Sequence, residues 1–244
     1  MIIILSPAKR MALCSTPDAQ TTPCFLLKTQ QLAVRLKEYD PGKLAEVLQI
    51  GPSLAMKAFM DYQDMDLFRQ GTAAVYAYRG LVFSALHADS LTEEDQYYAQ
   101  RHLRILSGFY GLLKPMDGIW PYRLEMGQNL PEVGSIYNFW GDQIAREIFS
   151  ETDTVLNLAS AEYSKAIMPH VPRDKRVVSC EFYCMHKGRW RMITTEVKKA
   201  RGKMTRWLIE NRIAHPLEAA EFDQEGYRFD RERSTDDVFR FYKD

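Results

Sequence analysis

The sequence predicts a single mixed α/β (α+β) domain over residues 1–244, with a mixed sheet, surrounding helices and a helix-hairpin-helix-like element at about 41–69. Three observations carry this expectation. Residues 1–5 are an apolar, mostly β-branched run that Ser6-Pro7 stops, the pattern of a short buried strand. Strand-like and helical segments then alternate irregularly, and one pair of strands is joined as a hairpin, which a doubly wound parallel sheet does not require. No internal repeat, low-complexity tract or linker-like shift divides the chain. Its 46% apolar content over 244 residues suffices for one sizeable core.

The elements follow in order. Residues 14–24 hold two prolines and several threonines and read as a loop. Phe25 to Tyr39 reads as a helix whose apolar face is mostly Leu26, Leu32, Val34 and Leu36. Asp40 and Pro41 suit the N-cap and first turn of a second helix, which stops at Gly51-Pro52; Ser53 then caps a third. Residues 72–78, rich in Val and Tyr, read as a strand. Ser90 and Glu93 stand in capping-box relation at the start of the next helix. Leu103 to Leu106 reads as a strand. Residues 108–127 carry four glycines, two prolines and many aromatic rings, a long shaped segment of the kind that builds sites. A helix over 136–149, a strand over 155–158 and a short helix capped by Ser160 come next. A hairpin of 176–185 and 189–195 turns at Lys187-Gly188. An amphipathic helix spans 197–213, an acid-rich stretch spans 218–237, and VFRFY forms a last strand.

Thirty-two basic residues balance thirty-two acidic ones, so the chain does not coat nucleic acid through bulk charge, although segregated charge can still form a basic patch. Cys14, Cys24, Cys180 and Cys184 match no zinc template; the last two point to one face of a strand, and all four read as reduced thiols. No metal site and no cofactor are expected. No apolar run is long enough for a signal h-region or a membrane span, so a cytoplasmic protein without a membrane partner is expected. A Walker loop, a GxGxxG turn after a strand, a GxSxG elbow and an HExxH motif are all missing.

Four segments could carry chemistry. Residues 44–62 read as helix, tight turn, helix; the turn at Gly51, Pro52 and Ser53 is either a phosphate cradle, as in helix-hairpin-helix DNA binders, or a plain αα-hairpin burying Leu48, Ile50 and Leu54. Gln49 stands where the DNA-binding pattern has a first glycine. On the helix over 198–212, Val197, Ala200, Met204, Trp207 and Leu208 share an apolar face; Lys199, Lys203 and Arg206 share another, and Arg201 and Arg212 border the apolar one. Gly202 inside that helix implies close approach of something. After the first strand come Lys9 and Arg10, placed where α/β ligand crevices form. In 106–127, Lys114, Arg123 and Glu125 accompany Tyr110, Trp120 and Tyr122, which are either stacking faces for bases or a folded aromatic core. Asp142, Asn157, Ser160 and Glu162 read as site residues, helix caps or both.

Seven motifs in order, ILSPAK, LSGFYGLLKP, PYRLEMG, FWGDQIA, NLAS followed by EY, KKARGKMTRWLIENR and FDQEGYRFD, span nearly the whole chain. Together they resemble the YaaA-like peroxide-stress protein family. Two departures are modest: Arg10 follows SPAK where threonine is usual, and Thr195-Glu196 stands near the place of an aromatic pair. The resemblance implies a cytosolic protein that protects against peroxide, with less free iron and less DNA damage. It implies one α/β fold with a positively charged cleft and a helix-hairpin-helix element, binding duplex or branched DNA without sequence specificity. Carried over residue by residue, it assigns DNA contact to Lys9, Lys114, Arg123, Lys198, Lys199, Arg201, Lys203 and Arg206, with Gly51, Pro52 and Ser53 as the hairpin. It implies no settled catalytic reaction. The alternative is an enzyme acting on a phosphate-bearing small molecule or nucleic-acid component in the same cleft, with Lys9, Asp142 or Glu162 moving protons.

Overall fold

A computed structural model describes residues 1–13 and 18–244; Cys14 and the start of the 14–24 loop lie outside the described residues. Strand β1 (Ile2–Leu5) is fully buried at the middle of a mixed sheet. Parallel neighbours flank it on both sides: β2 (Leu103–Ser107) on one and β4 (Thr154–Asn157) on the other, with β3 (Gly111–Leu113) antiparallel on the outer edge of β2. Beyond β4 the long strand β5 (Arg176–His186) runs parallel. It carries the antiparallel hairpin strand β6 (Arg189–Arg191) and pairs with the parallel last strand β8 (Val238–Lys243), whose edge takes the two-residue β7 (Arg228–Phe229). Five parallel strands with antiparallel edges thus form the eight-stranded sheet seen among the described residues. The hairpin turns at Lys187 (φ 51°) and Gly188 (φ 73°), the left-handed pair that a two-residue turn uses.

Helix α1 (Leu26–Glu38) buries Leu32, Ala33 and Leu36, while Val34 faces solvent. Asp40 caps α2 (Pro41–Leu48), its carboxylate accepting the Lys43 N–H at 2.7 Å. The third helix, α3 (Pro52–Asp64), packs on α2 as the second arm of an αα-hairpin, burying Ala55, Ala58 and Tyr62. Its N-cap is Gly51, not Ser53: Pro52 has a helical φ and no N–H, so the first helical position falls there. Leu48 is buried in the hairpin, but Leu54 is exposed.

Residues 72–78 are not one strand. Thr72–Ala73 is extended, Ala74–Ala77 makes a helical turn, and the segment is buried throughout. With both faces covered, β-propensity does not decide its path; Ala74 and Val75 donate instead to the carbonyls of Asp117 and Pro115. After α4 (Leu81–Leu86), the cap of α5 (Glu93–His102) is Thr92 with Asp95, two residues later than the sequence suggests. Ser90 is otherwise engaged, accepting from Arg206 at 2.8 Å and donating to the His87 carbonyl. The 136–149 helix is two: α6 (Ile136–Trp140) and α7 (Gln143–Glu151), separated by Gly141 at φ 53°.

Helix α8 (Thr194–Glu210) lies against α4. A Cβ at Gly202 would sit 2.1 Å from the Val82 carbonyl oxygen. What approaches this glycine is the backbone of α4.

Candidate functional site

From β1 the chain leads to β2 on one side, while β4, β5 and β8 lie on the other. The carboxyl ends of β1 and β4 therefore flank a topological switch point, where the diverging loops leave a crevice. The two loops are tied together: Ser160 N–H donates to Ser6 Oγ at 2.8 Å, and the Ser6 hydroxyl donates to Ser160 Oγ at 3.1 Å. Beyond them opens a cleft of about 620 Å³. Its walls come from the Ser6–Arg10 turn, the start of α4, the 122–125 segment, the loop after β4 and α8. A second recess of about 380 Å³ shares Lys9, Arg10, Arg79, Tyr122 and Arg123 with it, and reaches Leu54, Lys57 and Asp61 on α3.

The shaped 108–127 segment is held by its rings. Tyr110 is fully buried and its hydroxyl accepts the Trp120 N–H at 2.9 Å. Ser107, Tyr122 and Tyr78 form a buried hydroxyl chain with spacings of 2.7 and 2.8 Å. Burial pushes the Tyr122 hydroxyl up to about 12 and raises that of Tyr163, so both stay neutral. Tyr110 is core rather than a stacking face, whereas Tyr122 borders the cleft. Arg123 is fixed from behind, because the Tyr62 hydroxyl bonds both its carbonyl (2.8 Å) and its N–H (3.2 Å).

Charges meet at the mouth. Glu125 pairs with Lys9 at 2.7 Å and with Arg123 at 3.6 Å, and Arg123 also donates to the Lys9 carbonyl at 3.4 Å. Glu162 accepts the Gly127 N–H at 3.2 Å. Arg201 lines the cleft with its Nε largely buried and unpartnered, and desolvation lowers its pKa.

Of the sequence-chosen residues, the cleft gathers Lys9, Arg123, Lys198 and Arg201. Gly51, Pro52 and Ser53 sit at the exposed start of α3, next to Leu54 of the adjoining recess. Lys114 lies at the other end of the sheet, beside Met1, Ile2 and, at 3.9 Å, Glu151. Lys199 pairs with Glu196 (3.1 Å) and Lys203 with Glu225 (3.5 Å) on a different face of α8. Arg206 caps the carboxyl end of α4, donating to the Leu86 and His87 carbonyls, and pairs with Glu210. Asp142 pairs with Arg146 at 2.6 Å outside the cleft, and Asn157 bonds Ser179 and the Ala159 N–H. Of the three proton-moving candidates, Lys9 and Glu162 therefore share the cleft and Asp142 does not. Sequence reasoning missed Lys57 and Arg79. Lys57 is one helical turn beyond Leu54, a signal visible only once that face of α3 is known to border the cleft. No group of three or more His, Cys, Asp or Glu side chains placed to hold a metal ion occurs among the described residues, and no described helix is long and apolar enough to cross a membrane.

Comparison with known proteins agrees over the full length. The family model of the peroxide stress protein YaaA matches residues 1–233. A UPF0246 protein from Acaryochloris marina (strain MBIC 11017) is 40% identical over 251 residues, covering 99% of both chains. One from Lactobacillus johnsonii is 37% identical over 244 residues (99% of this chain, 97% of the relative), and one from Maricaulis maris is 40% identical over 246 (97% and 93%). A match of this extent, spanning every strand of the sheet up to β7 and both loops of the switch point, places the chain in the YaaA peroxide-stress protein family, UPF0246.

Proposed function

We propose that this protein acts in the cytoplasm under peroxide stress by binding DNA without reading its sequence, limiting iron-dependent oxidative damage to it. One observation carries the reading: cations from five separate stretches of a neutral chain border two adjoining recesses that share five lining residues. Lys9, Arg10, Lys57, Arg79, Arg123, Lys198 and Arg201 line the two joined recesses, against the carboxylates of Asp61, Glu125 and Glu162. Seven positive groups against three negative ones among the lining residues, in a chain with 32 charges of each sign, support reading these recesses as a basic cleft. Phosphates are the partner such a field selects, and contacts to them carry no sequence information. The αα-hairpin supports the same reading as a helix-hairpin-helix element. The start of α3 adjoins the cleft, a Cβ on Gly51 would meet nothing within 4 Å, and first-turn N–H groups have no partner within their own helix.

Binding of a short duplex, measured from low to moderate salt, tests this. Log affinity falls linearly with log salt, with a slope near −0.9 for each phosphate neutralised, and the fall is alike for unrelated sequences. Affinity that does not move with salt, or no binding at low salt, overturns the proposal.

A further inference from the structure

We propose that the inner cleft is a subsite for one nucleotide unit out of the base stack, its phosphate held by Arg201 and Lys198. This deepens the DNA-binding reading, and only its polynucleotide form rests on that reading.

Arg201 is the reason. Its guanidinium stays charged at any physiological pH, yet its Nε is buried without a hydrogen-bond partner, and among the described residues no carboxylate pairs with it. Three other arginines that run back into the fold have anionic partners. Arg104, 1% exposed, pairs with Glu151 and donates to the Leu103 carbonyl; Arg206 has Glu210 and two carbonyls; Arg212 has Asp95. The buried Cys180 thiol, pushed up by desolvation, is the electrostatic neighbour of Arg201 among the described residues. A desolvated cation with no counter-ion is costly, and it lowers stability unless an anion completes it. Lys198, three residues earlier on the same side of α8, lines the same cleft and has no ion pair among the described residues. The helix that carries both is fixed in place, because Gly202 lets the α8 backbone press directly on α4.

The remaining walls suit a nucleoside. Leu81, Phe83, Leu158, Tyr122 and Tyr163 offer apolar and aromatic surface, and Glu125 and Glu162 offer acceptors for ring N–H groups. A volume of about 620 Å³ falls in the range of small-ligand sites. An intact duplex is a stiff rod with its phosphates outside, so it meets the rim cations Lys9 and Lys57. Arg201, with its Nε buried in the cleft wall, calls for a nucleotide that leaves the stack, which costs least where a base is already unpaired or at a branch. A free nucleoside monophosphate presents the same chemistry.

Three measurements on the full chain separate these sources. They are the melting temperature with and without dAMP, the affinity for a perfect duplex, and the affinity for the same duplex carrying one unpaired nucleotide. Wild-type protein melts higher in dAMP and prefers the unpaired-nucleotide duplex by about tenfold, the worth of one charge-assisted contact. Arg201→Met loses both effects and melts higher than wild type without ligand, because the uncompensated charge is gone. Lys198→Ala, at an exposed position, keeps the wild-type melting temperature and loses part of the dAMP effect. Should dAMP stabilise the protein while the unpaired nucleotide confers no preference, the subsite holds free nucleotide and its polynucleotide form is overturned. Salt-dependent duplex binding with neither effect overturns the subsite and leaves DNA binding standing. Stabilisation by dAMP with no DNA binding at all does the reverse. If Arg201→Met melts lower and wild type ignores dAMP, Arg201 is a structural residue and the inference fails.

Discussion

At the scale of single residues, backbone conformation separates what the fold needs from what is free to serve a ligand. Gly202 looks from the sequence like a weak point in a helix, because glycine costs about 1 kcal/mol there relative to alanine. The structure reverses the sign. A Cβ would lie 2.1 Å from the Val82 oxygen and 2.8 Å from the Ala85 Cβ. Gly202→Ala is expected to destabilise by about 1–3 kcal/mol through overpacking, despite its better propensity. Urea denaturation checks this, and a gain in stability would show that α4 and α8 are not in backbone contact. Gln49 makes the converse case. It ends α2 with φ 53°, a left-handed conformation that glycine adopts without strain. Gln49→Gly should stabilise by about 0.5–1 kcal/mol, once glycine's greater unfolded-state entropy is set against the relieved strain. The same denaturation midpoint reports it, and a loss would mean that the Gln49 side chain matters more than its backbone.

At the scale of elements, helix ends show where sequence patterns compete. Ser90-x-x-Glu93 and Thr92-x-x-Asp95 are overlapping capping boxes, and local chemistry alone does not choose between them. Long-range partners do. Arg206 takes the Ser90 hydroxyl, and Arg212 takes the Asp95 carboxylate at 2.5 Å, so the helix starts at Thr92. Those partners sit more than a hundred residues away, and no local reading finds them. The β1 strand, the Asp40-Pro41 helix start and the Lys187-Gly188 hairpin were legible because each depends only on neighbours in sequence. Residues 72–78 were not, since burial on all sides removes the alternation that marks a strand. The Asp95 cluster also predicts acid sensitivity. Desolvation pulls its carboxyl up, but the Arg212 and Thr92 bonds outweigh it and leave the pKa below its ordinary value. A depressed pKa in the folded state means the stabilisation is complete above about pH 4 and is lost as pH falls through the folded value. Asp95→Asn should therefore cost about 1–2 kcal/mol at neutral pH, and the gap to wild type should close in acid. A gap that is constant from pH 7 to pH 2 would remove the charge from the explanation.

At the scale of the whole molecule, strand direction decides which cations meet. The crevice after β1 was legible, because a strand ending in Ser-Pro followed by Lys9 and Arg10 already points to a carboxyl-end site. Lys114 stands apart from the cleft for a topological reason. It follows β3, which runs antiparallel to β2, so the chain emerges at the amino end of β1, across the sheet from Lys9. The basic stretch of α8 divides by helical spacing. Lys198 and Arg201, three apart, reach the cleft, while Lys199 and Lys203, four apart, turn to Glu196 and Glu225. Charge reversal separates the two ends directly. If DNA lies over the carboxyl-end cleft, Lys198→Glu weakens binding to all sequences alike and flattens the log–log salt slope by about 0.9, the loss of one phosphate contact. Lys114→Glu leaves that slope at its wild-type value, because its charge sits on the far edge of the sheet beside Glu151. Both variants keep their substituted side chains at least partly in water, so the comparison reads binding rather than folding. Equal flattening by the two would place the polyanion somewhere other than the switch-point cleft, and the geometry would then favour a path along the sheet edge instead.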